Sequence, residues 1–116
     1  RAMIKIYHNQ RCSKSREGLA LVEASGKPFE VIKYLENIPT KEELKQVLQL
    51  LSIAPLDLVR KNEPIWKEKF KGKTLSDEEI IEAMISFPSL IERPIVVRGK
   101  KAVIGRPSEK IIGLLG

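Results

Sequence analysis

The one cysteine of the chain, Cys12, ends a polar loop directly before a predicted helix that begins at about Ser13. Free backbone N–H groups and the positive end of the helix dipole meet at such a position. They lower the pKa of a thiol and make it a nucleophile at neutral pH. A lone cysteine is more often a small buried hydrophobic residue, but Arg11, Lys14 and Arg16 make these surroundings polar and basic. We therefore interpret Cys12 as a reactive thiol.

The same junction between loop and helix suits an oxyanion. Backbone N–H groups of residues 13–16 and the hydroxyl groups of Ser13 and Ser15 can surround a tetrahedral anion beside the sulfur. We name Ser13, Lys14 and Arg16 as candidate oxyanion-binding residues.

A thiolate that faces an oxyanion needs compensating positive charge, which guanidinium groups supply in a fixed, bidentate form. Arg60 ends a predicted helix, Arg93 directly precedes Pro94, and Arg106 follows a predicted hairpin. Each of them alone is equally consistent with an ordinary solvated arginine. Pro94 favours a site, because an X-Pro bond that leads into a central strand is a candidate cis bond of the kind that holds backbone near an active site.

Other polar and aromatic residues carry weaker signals. His8 either tunes the thiol or orders its loop, and a purely structural role is equally consistent with its place at a strand end. Residues 61–73 have no hydrophobic period, which predicts a surface loop that Trp66 and Phe70 anchor to the core and whose lysines are solvated.

The hydrophobic patterns predict the element order strand, helix, strand, several helices, two strands and helix. The predicted strands are Met3–Tyr7, Phe29–Tyr34, Ile95–Val97 and Ala102–Ile104. The first predicted helix covers 13–24 and is ended by Gly26. Two further helices begin at the capping boxes Thr40–Glu43 and Ser76–Glu79, and two more begin at Pro55 and Pro107. The first β-α-β segment predicts a parallel pair, and the turn Gly99-Lys100 predicts a type II′ hairpin. The fold class is therefore α/β, with a thioredoxin-like mixed four-stranded sheet and a helical insertion after the second strand, at about 38–90.

Composition limits the class of protein. The 116 residues predict a single domain, 1–116, in which we expect Arg1 and Ala2 to be non-native residues before a native Met3. One cysteine and one histidine exclude an internal disulfide and a self-contained structural zinc site. With no signal peptide and no spanning segment, we expect a cytoplasmic, monomeric protein that binds no metal, no membrane and no resident cofactor.

The net charge of +6 comes from 21 Lys and Arg against 15 Asp and Glu. The excess is local, because residues 61–73 and 98–110 are the basic stretches. Charge is the only feature that suggests nucleic-acid binding. With 5% aromatic residues and no recognition motif, we expect no nucleic-acid partner.

A set of motifs, in order and spread over almost the whole chain, resembles the glutaredoxin-linked arsenate reductase family. The motifs are HNQRCSKSR at 8–16, YLE at 34–36, VRKNEP at 59–64, IERPIVV at 91–97 and GRPSE at 105–109. The CxxS spacing alone is a weak signal, whereas the set is highly specific. One departure is Gln10, where the family usually has proline.

The resemblance implies a thioredoxin-like fold and an oxidoreductase in which Cys12 is the nucleophile and Arg60, Arg93 and Arg106 bind the oxyanion. It also implies a cis Pro94, with His8 and Ser15 supporting the thiolate. The implied reaction reduces arsenate to arsenite through a covalent Cys12–arsenate adduct, with glutathione as co-substrate and glutaredoxin as protein partner. The single cysteine independently requires an external thiol.

Two other functions stay open at this point. The first keeps the fold and the thiol but changes the substrate, since a pocket for arsenate also suits sulfate or phosphate; an arsenate-dependent assay separates the two. The second is a redox regulator that binds RNA polymerase, a role found in a related branch of the fold. Those regulators typically carry a CxxC switch, and here Ser15 occupies the second cysteine position.

Overall fold

The computed structural model describes residues 3–116, so the expectation that Arg1 and Ala2 are non-native lies outside the described residues. The elements are β1 Ile4–Tyr7, α1 Ser13–Ala24, β2 Phe29–Ile32, α2 Lys41–Leu51, α3 Pro64–Lys69, α4 Asp77–Ser86, β3 Ile95–Arg98, β4 Lys101–Ile104 and α5 Glu109–Leu115, with 3-10 turns at Pro55–Leu58 and Pro88–Leu90. Within 3–116, no helix has the length and apolarity needed to span a membrane.

The four strands form one mixed sheet in the order β2-β1-β3-β4, with β1 parallel to β2 and antiparallel to β3. At the carboxyl end of β1, Tyr7 pairs with Ile32 on one side and with Ile95 on the other. Ile95 in turn pairs with Ile104, the last residue of β4. The loop after β1, the residues before β3 and those after β4 therefore meet at one edge of the sheet. This architecture confirms the predicted fold class.

The chain divides into two compact units. The first combines the chain up to Asn37 with Arg93–Gly116 and holds the sheet, α1 and α5. Its core follows from alternation in the strands, since Ile4 and Ile6 are buried and Lys5 between them is exposed. One hydrophobic core cluster of this unit consists of Ile4, Ile6, Val22, Val96, Ile111 and Leu115.

The second unit, Ile38–Glu92, is helical. Its two longer helices, α2 and α4, begin where the capping boxes predict. The Thr40 hydroxyl accepts a hydrogen bond from the Glu43 backbone N–H at 3.1 Å. At α4 the bonds are reciprocal, because the Ser76 hydroxyl accepts from the Glu79 N–H at 3.2 Å and the Glu79 carboxylate accepts from the Ser76 N–H at 2.8 Å.

Some of the predicted elements are wrong in detail. Residues 61–73 are not all loop, because α3 occupies Pro64–Lys69; one short turn buries a single side chain, Trp66, and so leaves no period to detect. The Pro55 element is one 3-10 turn that ends at Leu58, so Arg60 lies beyond it. The last helix begins at Glu109 rather than at Pro107, and Pro107 belongs to the turn before it, in which its carbonyl accepts from the Lys110 N–H at 3.1 Å.

The hairpin agrees with its prediction. Arg98 pairs with Lys101, which leaves Gly99 and Lys100 as a two-residue turn. Gly99 has a φ of 63°, the left-handed conformation that a type II′ turn requires at its first central position.

Candidate active site

Cys12 is the N-cap residue of α1, with extended backbone angles (φ −100°, ψ 123°) and a side chain that is partly exposed. Its backbone N–H donates to the Asn9 carbonyl at 3.0 Å, and its carbonyl accepts from the Arg16 N–H at 3.0 Å. The thiol therefore lies at the helix N-terminus, as the sequence predicts. Hydrogen bonds to its backbone N–H and to its carbonyl hold Cys12 in place.

Two of the three predicted arginines meet at this sulfur. The Arg106 guanidinium nitrogen Nη2 lies 3.6 Å from the Cys12 Sγ, and the Arg93 side chain also hydrogen-bonds the thiol. Arg106 is oriented by a second contact, because its Nε donates to the Arg93 carbonyl at 2.8 Å. The sheet makes this possible, since Arg93 precedes β3 and Arg106 follows β4 at the edge where β1 ends.

These contacts set the reactivity of the thiol. Burial raises the pKa of Cys12, whereas hydrogen bonds from the Arg93 side chain and from the backbone N–H groups of Ser15 and Lys14, with the Arg93 charge, lower it. The balance lies below the ordinary pKa of 9.0. A lowered pKa increases the fraction of nucleophilic thiolate near neutral pH.

Close packing fixes Pro94 beside the arginine that precedes it. The Arg93–Pro94 peptide bond is cis, as predicted, and the Arg106–Pro107 bond is also cis, which the sequence did not reveal. A Cβ atom at Gly105 would lie 2.6 Å from Cδ1 of Ile111 and 3.0 Å from Cγ of Pro94, and a Cβ at Gly18 would lie 2.8 Å from the same Pro94 atom. Glycine at both positions lets the backbone approach the proline ring.

His8 and Ser15 brace the loop that carries the thiol. The His8 side chain is 4% exposed and Ser15 is fully buried. The Nδ1 atom of His8 lies 2.7 Å from the Ser15 Oγ, which also accepts a hydrogen bond from the Asn9 N–H at 2.9 Å. Burial lowers the pKa of His8, and the positive charges of Lys33 and Arg16 lower it further. The imidazole is therefore neutral at neutral pH.

The candidate oxyanion residues at the start of α1 have differing surroundings. Ser13 is exposed. The Lys14 ammonium lies 3.9 Å from the Glu17 carboxylate on the surface. The Arg16 guanidinium donates to the Gln10 carbonyl at 3.0 Å, so it holds the loop in place. Gln10, the departure from the family pattern, thus contributes its backbone to this brace.

The third predicted arginine, Arg60, lies in the second unit, where two carboxylates hold it. Its Nη1 donates to Glu63 at 2.9 Å and its Nε lies 3.5 Å from Glu92. The backbone reinforces this arrangement, because the Arg60 N–H donates to the Leu90 carbonyl at 2.7 Å. Sequence reasoning missed both carboxylates, although each lies in one of the quoted motifs.

Among residues 3–116, no group of three or more His, Cys, Asp or Glu side chains could hold a metal ion. The chemistry available to the described residues is that of a thiolate and its hydrogen-bond donors. A sulfur nucleophile faced by two guanidinium groups can attack an electron-poor centre that carries negatively charged oxygen atoms.

The fold and this site define a thioredoxin-like protein with one activated cysteine at the N-terminus of its first helix. The chain belongs to the ArsC family, whose sequence profile matches residues 7–113. It is 44% identical to the uncharacterized protein YfgD of Escherichia coli (strain K12) over 97% of each chain. It is 40% identical to the arsenate reductase of Neisseria meningitidis serogroup A, again over 97% of each chain. The solved structure of the arsenate reductase from Vibrio cholerae superimposes with a TM-score of 0.91 at 46% identity, covering 97% of each chain.

Proposed function

We propose that the protein is an arsenate reductase, an oxidoreductase that converts arsenate to arsenite. The observation that carries this proposal is the Cys12 thiol itself, whose sulfur lies 3.6 Å from the Arg106 guanidinium and whose pKa a hydrogen bond from the Arg93 side chain lowers. Relatives that bear the name arsenate reductase support it. The relative YfgD is an uncharacterized protein, so the test of the substrate is a direct assay with arsenate.

The first step is nucleophilic attack. The Cys12 thiolate attacks the arsenic atom of bound arsenate, a sulfur–arsenic bond forms, and one oxygen takes up a proton and leaves as water. Arsenic stays in the pentavalent state. Donors from Arg93 and Arg106 stabilise the negative charge of the adduct and of the transition state before it, which is the role of preorganised donors in such sites.

The reducing equivalents come from outside the chain, because Cys12 is its one cysteine. Glutathione attacks the arsenic of the adduct and a second oxygen leaves as water, so that arsenic carries two sulfur atoms. A glutaredoxin thiolate then attacks the glutathione sulfur. The electron pair of that sulfur–arsenic bond stays on arsenic, which becomes trivalent, and glutaredoxin leaves as a mixed disulfide with glutathione. Water finally displaces Cys12 and releases arsenite.

The remaining assignments are also part of this proposal. His8 and Ser15 keep the thiol loop in its reactive conformation, and the N–H groups of residues 13–16 complete the cradle for the anion. Arg60 enters the proposal on its sequence motif alone, as a further oxyanion ligand. A cytoplasmic location fits a reaction that consumes reduced thiols.

The decisive experiment is a coupled assay. NADPH oxidation is followed in the presence of glutathione, glutaredoxin and glutathione reductase, with and without arsenate. We expect arsenate-dependent turnover that Cys12→Ser abolishes, because serine offers no comparable nucleophile at neutral pH. Lys101→Ala, an exposed change on β4, is the control and should keep the wild-type rate.

The assay also identifies the alternative. If arsenate does not change the rate, while the protein without glutaredoxin reduces a low-molecular-weight mixed disulfide at the expense of glutathione and Cys12→Ser does not, the protein is a thiol reductase with another substrate. That result would remove arsenate from the proposal and leave the role of Cys12 intact.

A further inference from the structure

A cleft of about 260 Å³ opens next to the thiol loop, within the first unit. The loop after β1 forms one wall, lined by His8, Asn9, Gln10 and Arg11. The segment after β2 forms the other wall, lined by Lys33, Leu35 and Glu36. The two walls separate where the parallel pair ends, because the His8 N–H makes a last bond to the Ile32 carbonyl at 2.9 Å. Arg11 immediately precedes Cys12, so this wall ends one Cα step, about 3.8 Å, from the nucleophile's own Cα.

Both walls are held in place by hydrogen bonds of their own. In the first wall, the Arg11 N–H donates to the Asn9 side chain at 3.0 Å, in addition to the brace from Ser15. In the second wall, the Lys33 carbonyl accepts from the Glu36 N–H at 3.0 Å and from the next residue's N–H at 2.8 Å. The cleft is therefore preformed, which lowers the entropic cost of binding a flexible ligand.

The side chains around the cleft carry a particular set of charges. Arg11 and Lys33 are cationic, Glu36 is anionic, and Leu35 is an apolar side chain that is 41% exposed. Glutathione carries two carboxylates and one ammonium group at neutral pH, which is the complementary set. The cleft volume lies just below the roughly 300–1,000 Å³ of typical small-molecule sites, so part of the tripeptide would extend into solvent, as suits a co-substrate that must leave.

The cleft lies on the other side of β1 from the guanidinium groups. It opens between the ends of β1 and β2, whereas Arg93 and Arg106 flank β3 and β4, and the strand order is β2-β1-β3-β4. A ligand in the cleft would leave the two arginines available to the oxyanion. We propose that this cleft is the binding site for free glutathione, with Arg11 and Lys33 on its carboxylates and Glu36 on its ammonium group. This rests on the proposed function for the fate of the thiol, though not for binding itself.

The first test measures binding without chemistry. S-methylglutathione, which has no free thiol, is titrated into the ¹⁵N-labelled wild-type protein and amide chemical shifts are followed. We expect the largest changes at Gln10, Arg11, Leu35 and Glu36, and about a tenfold weaker affinity in Lys33→Glu. Changes confined to residues around Pro94, or none at millimolar ligand, would place glutathione elsewhere and overturn the proposal. Because no arsenate is present, this result is independent of the proposed function.

The second test is kinetic. In the coupled assay, Lys33→Glu should raise the KM for glutathione about tenfold and leave the KM for arsenate within about twofold. The matched control is Lys101→Glu, the same charge reversal at an exposed position outside the cleft. If Lys33→Glu changes the KM for glutaredoxin and not that for glutathione, the cleft receives the protein partner and the proposal fails.

Discussion

The arginines of the two units are held in different ways. In the first unit, the Arg106 guanidinium contacts the Cys12 sulfur and a backbone carbonyl, that of Arg93. In the second unit, the Arg60 guanidinium is bracketed by the carboxylates of Glu63 and Glu92. The first arrangement directs positive charge at a thiol, whereas the second neutralises positive charge and fixes its orientation.

This difference teaches that arginines with the same proposed ligand need not contribute equally. The charge of Arg93 lowers the pKa of the thiol directly. Arg60 is balanced by two carboxylates, so its contribution depends on geometry more than on net charge. Removing a first-unit arginine should therefore affect the chemistry itself, and loosening Arg60 should mainly affect binding.

The largest expected effect is at the thiol. Arg93→Ala and Arg106→Ala should each lower kcat/KM for arsenate by about 10²–10³, the usual loss for one donor to a developing oxyanion. Arg93→Ala should in addition raise the pKa of Cys12, measured as the pH dependence of iodoacetamide alkylation. A loss of less than about threefold in both variants, with Lys101→Ala as the reference, would break the contrast with Arg60.

The next effect is on the packing that places the first-unit arginines. Gly105→Ala introduces a Cβ 2.6 Å from the buried Ile111 side chain and should destabilise the fold by about 1–3 kcal/mol. It should also lower kcat, because Pro94 and Arg93 must shift. Gly113→Ala is the matched control, since its Cβ meets nothing within 4 Å. Urea unfolding and the coupled assay provide the measurements, and equal behaviour of the two variants would contradict close packing at Pro94.

A pH experiment tests His8, which with Ser15 holds the thiol loop of the first unit in place. Burial depresses the pKa of His8 in the folded state, so the unfolded chain takes up the proton first as pH falls through about 6.5. Folding stability should therefore be highest above that pH and decrease below it. Urea unfolding at pH 7.5 and 5.5 measures the difference, which should shrink in His8→Asn. A pH difference equally large in that variant would show that other groups cause it.

The smallest effect is expected in the second unit. Glu63→Gln removes one of the two charges that hold Arg60 and should raise the KM for arsenate by up to about fivefold, since partly exposed ion pairs contribute about 0.2–1 kcal/mol. The value of kcat should change less than KM. The control is Glu68→Gln, which makes the same replacement of a carboxylate by a carboxamide at an exposed residue of α3. Identical kinetics for the two variants would mean that the Glu63 contact does not position Arg60 for the substrate.

Much of the fold was predictable because its signals are local. Strand alternation at Ile4 and Ile6, the capping boxes at Thr40 and Ser76, and the glycine turn at Gly99 each depend on a few neighbouring residues. The incorrect predictions concern elements that carry no such local signal. A six-residue helix such as α3 is too short for a hydrophobic period, and the start of α5 depends on a backbone turn that residue types do not reveal.

The sequence by itself predicted Cys12 as the nucleophile, because one cysteine before a helix leaves no alternative thiol among the 116 residues. It also predicted Arg60, Arg93 and Arg106 as the arginines that act with it. Only the tertiary structure decided how these groups act together. Cys12 and Arg106 are 94 residues apart in the chain, and their contact depends on sheet register, on the packing of Gly105 against Pro94 and on the carbonyl of Arg93. The cleft beside the thiol is likewise revealed only by the tertiary structure. Its charges come from two loops that become neighbours only because β1 and β2 pair in parallel.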